Sequence, residues 1–400
     1  MTPSAQQPRR DAHVCFLPRV SRSPFALLLV ATSLAAACGQ SSSSTSTSTP
    51  TATQPSAAPA PAASGLHVFA TDETQGNVVV LDAGSGEVVE RIPVGKRPRG
   101  VHVSADGALL YVALSGSPIA GPPTGRSEVK LPPPDRSADG IGVVDLKSHK
   151  LLRTMQSGQD PESFDISPDG KTAYVSNEDA AEMTVLDIAA GTITKRVKVG
   201  EEPEGVRVRP DGKVVYVTCE GANEVVAIDT ATYAVLAHMK MGGRPRGIEF
   251  TRDSRWAFVT NESGSSVTVV DATAHKTAGT MAIAMVDVPK SATAEASQAA
   301  ALPMGLVLSP DDTRLYVTLG RAQAVAVIDV ASRRVLQTIT GVGARPWGIG
   351  ISPDGATLFT ANGRSEDVSV ISTATGAVER RLKTGGSPWG IAVLAESRAK

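Results

Sequence analysis

The sequence predicts an all-β fold, a seven-bladed β-propeller whose last blade is closed by the N- and C-terminal strands. Three observations predict it. A phrase of Pro, one variable residue and a small residue returns seven times: Pro98-Arg99-Gly100, Pro161-Glu162-Ser163, Pro203-Glu204-Gly205, Pro245-Arg246-Gly247, Pro303-Met304-Gly305, Pro346-Trp347-Gly348 and Pro388-Trp389-Gly390. Successive prolines lie 63, 42, 42, 58, 43 and 42 residues apart, a period near 42 with two insertions, which suits a four-stranded blade rather than a helical solenoid. The repeats begin with a second strand at 66–71 and end on an unpartnered first strand at 390–394, so the two ends complete one blade and remove the free edges of an open array.

Taken in order, the chain opens with Arg9, Arg10, Arg19 and Arg22 ahead of an apolar run from Phe25 to Cys38. The run is short for a bilayer span and ends in small residues, which predicts an export signal over 1–37 rather than a transmembrane helix. Small residues running directly into Cys38 look like a bacterial lipobox, with Cys38 lipidated as the mature N-terminus. Leu34 stands one place early for that pattern and Ala35 takes its slot; the plainer reading is cleavage with a free terminus. Residues 38–64 are Ser, Thr, Pro and Ala with almost nothing large and apolar, a disordered tether that would hold the next domain about 30 Å from its anchor.

Although 400 residues could form two or three domains, the repeat claims 65–400 as one. After each Pro-x-Gly comes a short strand and a turn such as Ser167-Pro-Asp-Gly170, Arg209-Pro-Asp-Gly212 or Ser352-Pro-Asp-Gly355, where Pro presets φ and Gly supplies φ > 0. The second strand follows: Tyr111-Val-Ala, Tyr174-Val-Ser-Asn177, Tyr216-Val-Thr-Cys219, Phe258-Val-Thr-Asn261, Tyr316-Val-Thr and Phe359-Thr-Ala-Asn362. A third strand ends in Asp at 82, 145, 187, 229, 271 and 329, with Ser372 in the last copy, and a fourth leads to the next proline. Four β-branched strands per unit make a blade.

These residues resemble the YVTN-type β-propeller repeat family over about 330 residues. Tyr-Val-Thr-Asn, Ser-Pro-Asp-Gly and Val-x-Val-x-Asp carry the resemblance. Within it the chain is similar to exported seven-repeat propellers associated with pyrroloquinoline-quinone-dependent alcohol catabolism, through Asp160-Pro-Glu162, Asn177-Glu178-Asp179, Glu202-Pro-Glu204-Gly205, Arg244-Pro-Arg246 and Ser387-Pro-Trp389-Gly390. The two insertions and the lipid tether depart from that pattern.

Spacing places the insertions near 115–139, between second and third strands, and near 282–302, between a fourth strand and the next blade's first. In an up-down blade both connections emerge on the face that carries every Pro-x-Gly. The first holds Pro122-Pro123 and Pro132-Pro133-Pro134 and should be extended; the second holds a short helix candidate over 291–301. Long loops gathered on one face are commonly functional.

Residues flanking the prolines define the candidate binding ring: Arg97 and Arg99, Asp160 and Glu162, Glu202 and Glu204, Arg244 and Arg246, then Met304, Arg345, Trp347 and Trp389. Two residues past each small residue the split recurs, with His102, Asp165, Arg207 and Glu249 opposite Val307, Gly350 and Ala392. One mouth of the channel is therefore expected to be half ionic and half aromatic. Pairing of Arg99 with Glu162 and of Arg246 with Glu204 would tie blades together. The same groups would orient a polar ligand whose apolar part Trp347 and Trp389 cover.

Charge is balanced, 39 basic against 40 acidic residues, so no bulk field draws the protein to nucleic acid. The three cysteines form no disulfide, zinc or haem pattern, and no GxSxG, phosphate loop or HExxH occurs. No cofactor, metal or catalytic residue is expected, and Cys219 reads as a buried inert thiol. The leading expectation is a non-catalytic envelope lipoprotein, periplasmic or on the outer membrane, that binds a small molecule or an envelope protein. The resemblance implies a pyrroloquinoline-quinone-dependent dehydrogenase system as that partner. The alternative is a lactonase-like hydrolase, since some sugar-lactone hydrolases have a similar propeller; Glu162, Glu204, Arg99, Arg246 and His102 would supply its acids, bases and polarising groups. Nucleic-acid binding ranks below both, because carboxylates share the mouth.

Overall fold

The computed structural model describes residues 65–119, 131–285 and 301–395. The export signal at 1–37, Cys38 and the tether lie outside the described residues, as do the centres of both insertions and most of the helix candidate. Within them the backbone forms seven four-stranded antiparallel sheets. Six are continuous in sequence, at 98–155, 161–198, 203–240, 245–282, 303–340 and 346–383. In the remaining one Pro388–Ala395 pairs with Leu66–Asp72, so the chain's two ends close blade one, as expected. The insertions fall where spacing placed them, after Leu109–Leu114 and after Lys276–Ala282.

Burial explains the strand composition. The second strand Val214–Cys219 and the third strand Glu224–Asp229 are buried along their whole length apart from the final Asp, and are rich in Val, Ala and Ile. Fourth strands such as Lys276–Ala282 form exposed outer edges. Seven apolar clusters fill the seven joints: Val68, Leu81, Phe359 and Val370 occupy one, and Tyr174, Val185, Val206 and Val217 another. The first strands line the axis.

Pairing between a blade's first and second strands breaks once in every blade, between the proline and the residue three beyond it, for instance between Pro203 and Val206. The phrase Pro-x-Gly is therefore a β-bulge, a device that turns a strand and re-aims a side chain. A hydroxyl holds it. Thr218 Oγ accepts the N–H of Gly205 in its own blade at 2.7 Å and donates to the Arg246 carbonyl of the next at 2.8 Å. Thr71, Ser176, Thr260 and Thr318 do the same, gripping the carbonyls of Arg99, Glu204, Met304 and Trp347. The neighbouring backbone comes so close that a Cβ on Gly305 would lie 2.5 Å from the Trp347 carbonyl, which is why the third residue of the phrase is Gly. Ala113 and Ala361 lack the hydroxyl, so two joints are held otherwise, by Arg99 against Glu162 and by the Trp347 and Trp389 rings.

Replacing buried Thr218 with Val keeps the shape but strands a buried N–H and a buried carbonyl. We expect a loss of about 1–3 kcal/mol in denaturant unfolding. A loss well under 0.5 kcal/mol would mean that the hydroxyl does not hold the joint.

Candidate functional site

The bulges present their variable residues at one mouth of the channel. The residue before each proline is held at positive φ in six of the seven phrases: Arg97, Asp160, Glu202, Arg244, Leu302 and Arg345, with φ of 42, 55, 49, 54, 27 and 56°. A left-handed conformation before proline is strained, and such strain gathers at functional sites. The carbonyls of these residues pin a second ring that sequence reasoning missed. Asp160 O, Glu202 O and Arg244 O accept the N–H of Glu178, Glu220 and Glu262 at 3.0, 2.8 and 2.9 Å, and Ser387 O accepts that of Glu73 at 3.0 Å. The signal lay in the repeat: each of these glutamates follows the last residue of a second strand, in Asp72-Glu73, Asn177-Glu178, Cys219-Glu220 and Asn261-Glu262.

The two rings interlock through two arginine centres. Arg99 bonds Glu73 at 3.0 Å and meets Glu162, while Arg97 bonds Glu73 at 3.0 Å and Asp160 at 3.2 Å. Across the mouth Arg246 contacts Glu204, Glu220 and Glu262 at 3.0, 2.7 and 2.6 Å, and Arg244 backs the last two. The pairs are nearly buried, with side chains of Arg99 and Arg246 only 13% and 12% exposed and Glu162 not at all. The ionic and aromatic halves also merge. The Arg99 guanidinium lies 5.4 Å from the Trp389 ring, and Arg246 and Arg345 lie 5.1 and 4.4 Å from Trp347. The two indoles stack at 6.0 Å, so guanidiniums rather than open space cover their faces.

Not every predicted residue joins this network. Glu202 is exposed and makes no ion pair among the described residues. His102 sits lower in the channel, 3.7 Å from Asp165 and against the Phe164 ring. Burial, reinforced by Arg207 and opposed by Asp165, lowers its pKa, so the imidazole is neutral at pH 7. Arg207 holds Glu249 by two bonds at 2.8 and 2.7 Å in the same tier. Met304 is buried and lines the channel beside Trp347. Cys219 is sealed in blade four, accepts the Gly200 N–H, and is pushed up to about 12 by burial, the inert thiol expected.

Electrostatics raises two of these glutamates, Glu220 to about 8 and Glu178 to about 7. Burial raises Glu73, but Arg99 and Arg97 outweigh it and hold the carboxyl below its usual range. Burial and Glu204 raise Glu220, against the pull of Arg246 and Arg244. Glu178 differs: among the described residues no hydrogen bond or ion pair reaches its carboxylate. Burial first, then the charges of Glu204 and Asp160, push it up to about 7. Asp160, Glu162 and Glu178 bring oxygens within 4.8 Å of one another, but Arg97 and Arg99 lie against the group and supply the positive charge that a cation would bring. A cavity of about 440 Å³ runs from Glu204, Arg246, Trp347 and Trp389 down to His102 and Glu249. The cavity offers a guanidinium donor in Arg246 and room for a small molecule; Glu178 stands with Asp160 and Glu162 outside its lining.

Fold and site together define a seven-bladed β-propeller with a polar, partly enclosed mouth. Residues 201–393 match the family model described as "Lactonase, 7-bladed beta-propeller", and 126–211 match a YNCE-like β-propeller model. Neither model carries the finer resemblance to YVTN repeats or to quinone-linked catabolism. No curated protein matches the chain. Among solved structures, the periplasmic gluconolactonase of Pseudomonas aeruginosa superposes with a TM-score of 0.64 at 19% identity, covering 83% of this chain and 100% of that one. A putative 6-phosphogluconolactonase of Bacteroides fragilis gives 0.63 at 18%, covering 84% and 100%, and hydrazine synthase of Kuenenia stuttgartiensis gives 0.62 at 21%, covering 76% and 92%. These likenesses carry the fold. The lactonase model over 201–393 corrects the expectation of a non-catalytic scaffold and favours the hydrolase reading.

Removing Arg246 would leave Glu204 without its ion-pair partner and Glu220 and Glu262 with Arg244 alone. Arg246→Ala should cost about 3–5 kcal/mol at pH 7, the deficit shrinking as pH falls toward about 4, because buried carboxylates that have lost counter-charge take up protons above their ordinary range. A deficit independent of pH in urea unfolding would show that lost packing, not charge, is responsible.

Proposed function

We propose that this chain hydrolyses a lactone at the propeller mouth, with Glu178 as general base. The observation that carries the reading is the Glu178 carboxyl, pushed up to about 7, unpaired among the described residues, beside the Arg97 and Arg99 guanidiniums. Ester opening in a lactone needs no protein nucleophile. Glu178 takes a proton from water as its oxygen attacks the ring carbonyl, and the guanidiniums stabilise the oxyanion that forms. Collapse breaks the bond from carbonyl carbon to ring oxygen, Glu178 returns the proton to the leaving alkoxide, and a hydroxy acid results. Glu162 and Glu204, the bases first expected, are held by Arg99 and Arg246 and serve to orient those guanidiniums.

Substrate chemistry follows from the arginines that lack carboxylates. Among the described residues neither Arg345 nor Arg364 has an acidic partner; burial and Arg364 itself lower the Arg345 pKa, so an anionic group of the substrate would relieve the pair. Two of the structural neighbours carry gluconolactonase names, which supports testing glucono-δ-lactone with and without a 6-phosphate. Export is part of the proposal, supported by the run into Cys38 and by the periplasmic location named for the Pseudomonas protein.

A general base works deprotonated, so kcat/KM should rise with pH to a plateau above about 7. Glu178→Gln should lower kcat/KM about 10²–10⁴-fold and flatten that limb. Stability runs the other way. A carboxyl with a raised native pKa binds its proton more tightly when folded, so stability falls as pH rises from the ordinary 4.5 to about 7. Glu178→Gln should therefore melt higher than the parent at pH 8 and about equally at pH 4. Retained hydrolysis in this variant would remove Glu178 from the mechanism.

A further inference from the structure

Of the four glutamates in the second ring, Glu73, Glu220 and Glu262 are fixed by arginine ion pairs. Glu178 has none among the described residues. Its local structure is slight: a single 3-10 turn, Glu178–Ala180, whose Asn177 makes no side-chain cap and whose Ala181 is left-handed at φ 49°. Something outside the turn must hold it.

The described ends of the blade-two insertion do so. Asp139 is fully buried and its carboxylate accepts the Gly116 N–H at 2.7 Å and the Asp160 N–H at 3.2 Å. The Asp160 carbonyl in turn accepts the Glu178 N–H at 3.0 Å, and the Ser115 hydroxyl donates to the Asp160 carboxylate. Arg136, in its own short turn Arg136–Ala138, donates to Asp139 and to Ser117, each at 3.2 Å, and reaches across to Asp179. The turn is thus gripped through the residue after Glu178 and through the carbonyl that binds Glu178 itself. Both grips meet in one arginine–aspartate pair.

We propose that Arg136 and Asp139 are positioning residues that hold Glu178 at the mouth through the Glu178–Ala180 turn and Asp160. The role rests on Glu178 as the base; the clamp itself can be read without it. The groups facing Glu178 are Asp160, Glu162 and Glu204 with Arg97 and Arg99, and the clamp fixes its distance from all five. The insertion that breaks the repeat is, on this account, catalytic support rather than decoration.

The test uses the full chain with Arg136→Ala, Arg136→Lys and Asp139→Asn, and glucono-δ-lactone as probe. Arg136 is about one-third exposed, so its loss should leave the fold intact. Hydrogen exchange at the Glu178 amide should speed up at least tenfold in Arg136→Ala and Asp139→Asn. For the same variants kcat should fall about 10- to 100-fold with KM within about threefold, and the pH limb should move because the charges around Glu178 are no longer at fixed distances. Arg136→Lys should recover part of both, through the pair with Asp179. Unchanged exchange at Glu178 would overturn the clamp whatever the activity. Faster exchange with unchanged hydrolysis, in a protein that Glu178→Gln inactivates, would overturn its catalytic role. An active Glu178→Gln protein with faster exchange in Arg136→Ala would remove the base and leave the clamp.

Discussion

A side-chain hydroxyl shared between two blades is the constraint on which this structure turns. Each Thr or Ser at that position in the second strand accepts an N–H from its own bulge and donates to the carbonyl of the next bulge. Adjacent first strands make no ladder with one another, so without the hydroxyl a buried donor and a buried acceptor would go unpaired at every such joint. The carbonyl it grips belongs to the variable residue of Pro-x-Gly. What seals the ring therefore also sets the orientation of the side chains at its mouth.

The mouth is costly to build. Buried arginine–carboxylate clusters repay their desolvation only with good geometry, and a string of left-handed residues before proline adds strain. Stability alone is a poor reason to assemble four arginines and six carboxylates over two stacked indoles. Preorganised charge that meets developing charge in a reaction is a better one. The second-ring glutamates make the point: Glu73, Glu220 and Glu262 are paired with arginines, while Glu178 has no ion pair among the described residues and is pushed up to about 7 by burial and like charges.

Much of this could be read from the chain. The period, the closure from both ends, the placement of both insertions and the pairs Arg99 with Glu162 and Arg246 with Glu204 all follow from offsets within a repeat. Glu178, in Asn177-Glu178-Asp179, enters the sequence reading only through a resemblance, although its place one residue past a second strand is shared by Glu73, Glu220 and Glu262. Its proton affinity depends on burial and on charges from other blades, which no local pattern encodes. Glu202 shows the opposite: it occupies the same repeat position as the buried Asp160, yet its side chain is exposed, a difference that spacing does not encode. The scaffold expectation rested on missing nucleophile motifs, and water attack on a lactone requires none.

The central claim is that the ring places a carboxyl at its mouth that keeps its proton to neutral pH. Titrating the Glu178 side-chain carbon by carbon-13 NMR in the intact protein tests this directly. The account predicts a midpoint near 7, well above the carboxyl's ordinary 4.5. A midpoint at or below 4.5 would contradict it, for the carboxylate would then be a paired structural charge like Glu73.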